Sequence, residues 1–467
     1  MECGPARIDH LLGEPVHPEL VSVVAIDAFS APTRWRAFYL NCGLRILIVG
    51  CICIALAPDC GAYSVLSHEA LVDALWDTTL KPALLSRYPD ATPEQLKKAH
   101  GYAYGGAIIQ DLGYYPHGSK QFSDLTHYVR TGDFIAALLK QSRSLNELAF
   151  SLGALSHYVS DLDGHRLATN VGEPILYPRL QRKYGNFITY EDDPAGHLKT
   201  EFSFDVLEVA KGNFAPEAYH DFIGFDVARP LVERAFRDTY GLEMNDLFKD
   251  FPRAVESFRR AVSKTIPRAT RVAWAAKQKE IERAQPGMTR KRFVYIMHRS
   301  SYERNWGKQY DRPTPGDRTL ALIVKLLPPI GALRDLKLKI PTPAVEKLFM
   351  DSFDRSAKQF AEKINQAMNG SLELEPKNYD VGIVTPAGSY RLDDQAQCYW
   401  LNLLAAKNLT TVTPAIRNEL LSYYNDLEAP IATKTDNKKW RQLVAELQQL
   451  KAHSAQLPVK LANSREF

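Results

Sequence analysis

The sequence predicts an all-α protein built of many helices. Three features point there. Apolar residues recur at three- and four-residue spacing through long segments. Prolines and clusters of turn-forming residues separate those segments. No run alternates apolar and polar residues in the way a half-buried strand does. Of the 467 residues, 45% are apolar and 24% charged, which excludes wholesale disorder and a multi-span membrane protein. The net charge of +4 is too small to imply nucleic acid as a partner by itself.

The first 62 residues differ from the rest. They hold five of the six cysteines, and four Arg against six acidic residues give them a charge of −2, leaving +6 beyond. Arg34, Arg36 and Arg45 precede the apolar run 46–57, followed by Pro58 and the small-residue site Cys60-Gly61-Ala62. A basic flank, an apolar run of about a dozen and small residues before a cut form the pattern of a secretory signal. Export with cleavage near Ala62 is therefore expected, to the periplasm or outside the cell. The alternative is an anchor through 46–57, although that run falls short of the roughly 20 residues a span needs. Cleavage would leave Cys398 as the one cysteine and no internal disulfide.

Beyond the leader, the periodicity predicts helices over 93–109, 131–141, 144–161 and 198–211, with Asp111–Gly118 as a turn-rich loop. Residues 215–310 continue as basic amphipathic helices broken at Pro230, Pro252, Pro267 and Pro286. Asp311–Asp317 reads as a linker. Residues 319–335 are markedly apolar with basic neighbours, a pattern that fits a buried helix or one lying on a membrane surface. Helices are expected over 342–368, 393–407, 413–427 and 437–452, with an extended polar stretch at 370–392. The expected domains are a leader (1–62), a helical catalytic domain (63–310) and a C-terminal helical extension of unknown role (318–467).

Seven of the twelve histidines lie between His68 and His197. His157, Asp161 and His165 recur every four residues, so a helix drifts only about 40° per step and keeps all three on one face. His197 and Glu201 form a second such pair. An imidazole and a carboxylate one turn apart can converge on one ion, since Zn–N and Zn–O bonds are both about 2.0–2.2 Å. His157 and His165 stand roughly 12 Å apart along a continuous helix at 1.5 Å per residue, too far to chelate one ion together. An aspartate midway can instead bridge neighbouring ions, which lie about 3.5–4 Å apart in multinuclear sites. His68, Asp111 and His127 add to the cluster. His100 and His117 are expected at the surface or around the ligands.

With these motifs, residues 63–210 resemble the zinc-dependent phospholipase C family, which shares its helical fold and three-zinc site with the S1/P1-type nucleases. The resemblance implies a multi-helix phospholipase C/P1 nuclease-like catalytic domain, extended here by C-terminal helices. It implies that Asp111, His127, His157 and Asp161 hold one Zn2+. Tyr63 (as the mature N-terminal residue), His68 and the bridging Asp161 would hold a second, and His165, His197 and Glu201 a third. Three departures stand out. Tyr63 replaces the usual Trp, His165 follows His157 by eight residues rather than ten, and Asp163-Gly164 replaces the intervening Pro. The phospholipase D that cleaves lipid anchors is similar in its eight-residue spacing.

Such a site suits in-line hydrolysis of a phosphodiester, with Asp111 as general base or as ligand alone. Tyr114, Tyr115, Phe122 and Tyr128 could line a substrate wall or fill the core. The expected substrate is a phospholipid head-group ester, with membrane-surface contact through 319–335. Glu201, the family's phospholipase choice at that position, favours this. A single-strand or 3′-nuclease acting on nucleic acid is the alternative, favoured by the short spacing from Tyr63 to His68. A non-catalytic, zinc-stabilised envelope interaction protein is the third reading.

Overall fold

The computed structural model describes residues 65–211, 213–214, 219, 223–284, 315–326 and 338–453. The leader, its cut site, the 46–57 run, Tyr63 and residues 327–335 lie outside them. The described residues belong to one compact unit, all-α as expected, with no strand among them.

The first helices are α1 (Val65–Leu75), α2 (Lys81–Arg87), α3 (Pro93–Gly106), α4 (Lys120–Tyr128), α5 (Thr131–Gln141) and α6 (Leu145–Gly164). A 3₁₀ turn, Ile109–Tyr114, occupies the start of the stretch expected as loop. After α6 a π turn (His165–Thr169) leads into α7 (Asn170–Leu176), α8 (Pro178–Tyr184) and α9 (Pro194–Lys211). Then follow α10 (Arg229–Tyr240), α11 (Met244–Leu247), α12 (Phe251–Arg260) and α13 (Ile266–Ala284). The breaks expected at Pro230 and Pro252 are present, each proline starting a new helix. The backbone instead runs on helically through Pro267 from the π turn Ala261–Thr265, and Pro286 lies outside the described residues. Pro230 and Pro252 occupy first-turn positions, where the missing N–H has no intrahelical partner to lose. Pro267 is the second residue of α13. The last elements are α14 (Pro315–Leu326), α15 (Pro343–Asn369), α16 (Arg391–Ala406), α17 (Pro414–Tyr423) and α18 (Asn437–Ala452). Pro315–Asp317, expected as linker, form the first turn of α14, and Asp317 is buried with Arg271 Nε 3.6 Å away.

The helix starts follow a repeated local rule. Thr92-Pro93, Thr342-Pro343 and Thr413-Pro414 each place a threonine hydroxyl at the N-cap, accepting from the backbone N–H three residues on, with proline in the first turn. Gln95 completes a capping box by accepting the Thr92 N–H at 2.9 Å. Gly241 and Gly370 end α10 and α15 with φ of 68° and 79°, the left-handed cap that glycine adopts without strain.

One hydrophobic core joins the first helices to the last, running from Leu66 through Phe349, Phe353 and Trp400 to Leu450. Helix α15 packs along the histidine-bearing α6 and its π turn. Asp163 on α6 meets Arg355 Nε at 3.2 Å and accepts from Gln359 Nε2 at 2.8 Å. Phe349 stacks on Phe204 of α9 at 4.6 Å between centroids. Helices α3 and α6 touch backbone to backbone: a Cβ on Gly106 would lie 1.9 Å from Phe150 O, and one on Gly153 2.0 Å from Ala103 O. That close approach brings α6 against the end of α3, where the site begins. Cys398 is free and buried. Among the described residues, no helix is long and apolar enough to cross a membrane.

Candidate metal centre

Helix α6 forms the floor of the centre. His157 and Asp161 point inward one turn apart, with Nε2 3.0 Å from Oδ2. The 3₁₀ turn brings in Asp111. Its neighbour Gln110 donates to Ala154 O at 3.1 Å, while Gln110 O accepts from Ser123 Oγ at 2.5 Å, fixing the turn between α6 and α4. Helix α4 supplies His127, whose Nε2 lies 3.2 Å from Asp111 Oδ1 and 3.6 Å from Asp161 Oδ2. Helix α1 supplies His68, with Nε2 3.4 Å from Asp161 Oδ1. On the other side, His197 and Glu201 of α9 stand 2.9 Å apart, and His165 Nε2 is 3.1 Å from the same Glu201 Oε1.

His165 keeps the register of α6: its backbone is α-helical and its N–H donates to Asp161 O. It sits 3.9 Å from Asp161 Oδ2 while facing α9. The π turn widens the backbone only beyond it, where Asn170 N–H reaches His165 O, an arrangement frequent at functional sites. The eight described ligands expected from the sequence, His68, Asp111, His127, His157, Asp161, His165, His197 and Glu201, are all buried. They fall into three groups able to hold an ion: His68, His157 and Asp161; Asp111, His127 and His157; His165, His197 and Glu201. His157 and His165 fall in separate groups, as their separation along the helix predicted.

The outer faces of the rings set their chemistry. His127 Nδ1 is 2.7 Å from Ser123 O, and His157 Nδ1 is 2.8 Å from Ala107 O. A carbonyl only accepts, so each Nδ1 carries its hydrogen and each Nε2 is left with the lone pair a metal needs. His68 Nδ1 lies 2.9 Å from Ser160 Oγ, whose hydroxyl donates to His157 O at 3.2 Å; the same tautomer follows. Asp205, one turn beyond Glu201, accepts from Leu66 N–H at 2.9 Å and from Ser67 Oγ at 2.8 Å. It thereby pins the start of α1 beside His68.

Without a metal the cluster is electrostatically unbalanced. Burial opposes ionisation of Asp161, but His157, His165 and His68 outweigh it and hold its pKa well below the usual carboxylate range. Burial likewise works against a charged His165, yet Asp161, Glu201 and Asp380 carry it up to about 10. Burial and the neighbouring His157 push His68 down to about 3, and burial lowers His127. Asp111 is raised well above the carboxylate range, chiefly by burial. Both oxygens of Asp111, Asp161 and Glu201, and the Nε2 atoms of His127, His157 and His197, are buried without a hydrogen bond. Buried acids and bare imidazole nitrogens at these distances are costly unless a cation joins them. The nitrogen and oxygen donors fit zinc.

Residues 67–250 match the family model of zinc dependent phospholipase C. No curated protein and no solved structure matches the chain. Every described ligand expected from the resemblance lies inside the matched segment of this zinc-dependent phospholipase C family. The other expectations divide. Tyr114 is half-buried, with its ring 5.9 Å from His127 and 6.5 Å from Tyr190. Tyr115, Phe122 and Tyr128 pack in the core against Phe258, Phe236 and Tyr390. His117 is exposed. His100, expected at the surface or around the ligands, is instead in the core. It stacks on Trp76 at 3.8 Å, and burial holds its pKa well below the ordinary value.

Sequence reasoning missed the residues behind the ligands. Asp205 continues the four-residue series of His197 and Glu201, a signal that could have found it. Tyr379 and Asp380, nearly two hundred residues beyond the last ligand, reach the centre from the C-terminal half without any such signal. The Tyr379 ring stands 5.2 Å from His127 and 5.9 Å from His157.

Proposed function

We propose that the protein is a zinc-dependent phosphodiester hydrolase, specifically a phospholipase C acting on phospholipid head-group esters. The observation that carries this reading is the position of Asp161: one oxygen faces His157 and His127, the other faces His68. A carboxylate so placed suits a bridge between ions. Asp111, His127, His157 and Asp161 would hold one zinc, His68 and Asp161 a second, and His165, His197 and Glu201 a third. Tyr63 would join the second once the leader is cut. Bound zinc supplies Lewis acidity at a phosphoryl oxygen and a water of lowered pKa.

The protein's own groups do the rest. Asp111, held by the 3₁₀ turn, would take the proton of the attacking water on whichever carboxylate oxygen does not hold zinc. Tyr114 and Tyr190 stand beside His127 and His197 and present two phenol faces to the substrate. The apolar stretch 319–335 offers the membrane-surface contact a lipid substrate needs; its described part lies in α14. Export after cleavage near Ala62 accords with an extracellular or periplasmic lipid substrate.

The deciding experiment compares the zinc-loaded mature chain on phosphatidylcholine vesicles and on single-stranded nucleic acid. Release of the phosphorylated head group, with the nucleic acid left intact, is expected. Cleavage of nucleic acid alone would replace this reading with the nuclease one. Bound zinc with hydrolysis of neither would leave the structural reading.

A further inference from the structure

We infer that Asp380, contributed by the C-terminal half and lying outside the family-matched segment, is a positioning residue for His165 and so completes the third zinc group. The inference rests on the zinc reading above. Asp380 is buried, and its Oδ1 lies 3.7 Å from His165 Nδ1, on the opposite side of the ring from the Nε2 that faces Glu201. Its other contacts fix that orientation. Oδ2 accepts from Tyr190 N–H at 2.9 Å and from the Tyr390 hydroxyl at 2.7 Å. Oδ1 and the backbone carbonyl both accept from Asn170 Nδ2, at 3.0 and 2.9 Å.

The loop carrying Asp380 is itself built to hold it there. Asn378 Oδ1 accepts from the Asp380 N–H at 2.9 Å, and Asn378 O accepts from Gly382 N–H at 2.8 Å. Gly382 has φ of 73°, and a Cβ there would meet Leu162 O at 3.1 Å and Arg166 Cδ at 3.0 Å. Glycine takes this conformation without strain and lets the turn lie close to the end of α6. Next to it, Tyr379 N–H donates to His127 O at 3.0 Å, so one loop rests against ligands of two groups.

The chemistry gives the loop a purpose. Ser123 O, Ala107 O and Ser160 Oγ already orient His127, His157 and His68. Asp380 stands behind the His165 ring in the corresponding place, at an ion-pair distance of 3.7 Å. A carboxylate behind a metal-bound imidazole fixes its tautomer and orientation and raises its basicity, and losing such a partner costs about 10–100-fold in metal affinity.

The test is zinc content and stepwise zinc affinity of the full mature chain, measured by elemental analysis and titration with a chromophoric chelator. The wild type is compared with Asp380→Asn, Tyr390→Phe, His165→Ala and the Asp380→Asn/His165→Ala pair. Asp380→Asn should weaken one zinc of three by about 10–100-fold and leave two unchanged. Tyr390→Phe removes a partner of the same carboxylate but keeps its charge toward His165, and should retain all three. In the His165→Ala background, Asp380→Asn should change zinc affinity no further. Three tightly held zincs in Asp380→Asn would overturn the inference while leaving the zinc reading intact. Uniform weakening of all three, with the metal-free chain melting earlier, would assign Asp380 a merely structural role and overturn it too. A wild-type chain that binds no zinc would overturn the underlying reading instead.

Discussion

Asp161 Oδ2 lies 3.0 Å from His157 Nε2, one turn earlier on the same helix, while its second oxygen faces His68 from a different helix. One buried carboxylate thus ties two of the three ligand groups together. Replacing it with asparagine keeps the volume and removes the charge and one of the two ligand oxygens. Asp161→Asn should lose at least one zinc and reduce phosphodiester hydrolysis by more than about a hundredfold, beyond what loss of an outer partner costs. Zinc analysis alongside hydrolysis of a soluble phosphodiester checks this. Full zinc content with undiminished turnover would remove Asp161 from the centre.

The glycine contact between α3 and α6 couples stability to the site. A methyl at Gly153 would fall 2.0 Å from Ala103 O, a backbone atom that cannot swing aside. Alanine is the better helix former by about 1 kcal/mol, but overpacking a tight core costs about 1–3 kcal/mol and sometimes more. The clash should win. Gly153→Ala should therefore lower the thermal midpoint of the metal-free chain. It should also weaken zinc binding, because His157 lies one turn on and takes its tautomer from Ala107 O across that contact. A midpoint at or above wild type would show that the helices separate at no cost.

Much of this was legible before any coordinates. Ligands spaced four apart on one helix must share a face, so His157 with Asp161 and His197 with Glu201 could be paired from the sequence alone. Helix starts were readable for a similar reason, since Thr-Pro is a local signal. What stayed hidden depends on distant backbone. The π turn that follows His165 has no composition of its own. Asp380 joins the centre only because α15 folds back along α6, and long-range packing of that kind leaves no periodicity to read. Pro230 and Pro252 mark breaks as expected, but Pro267 does not, because the π turn Ala261–Thr265 before it carries the helical backbone on.

Asp205 offers a further check on how α1 is held. Its two hydrogen bonds to Leu66 N–H and Ser67 Oγ place a negative charge at the first turn of α1, where it is favourable. Asp205→Ala would leave a buried N–H and a hydroxyl without this acceptor, which costs about 1–3 kcal/mol. Denaturant unfolding should report a loss of that size. Zinc titration should report weaker binding at the group containing His68 and no change at the group of His197. Unchanged stability would mean that other acceptors take over.

Glu173 on α7, which is not itself a ligand, predicts a pH dependence of its own. It is fully buried, and neither carboxyl oxygen makes a hydrogen bond. A Cβ on Gly196 would lie 2.1 Å from its Oε1 and 2.6 Å from Asp193 Oδ2, so the two acids flank the same glycine. Burial first, and then Asp193 and Glu201, push the Glu173 pKa up to about 9, against about 4.3 in an unfolded chain. The folded state therefore keeps a proton that the unfolded state releases. Its stabilising contribution is full below about pH 4.3 and is lost as pH rises toward 9. Glu173→Gln mimics the protonated form and should escape that loss. In chelator-treated protein, the variant's thermal midpoint should gain on wild type between pH 5 and pH 8. A gap that stays constant over that range would mean the folded carboxyl is already ionised.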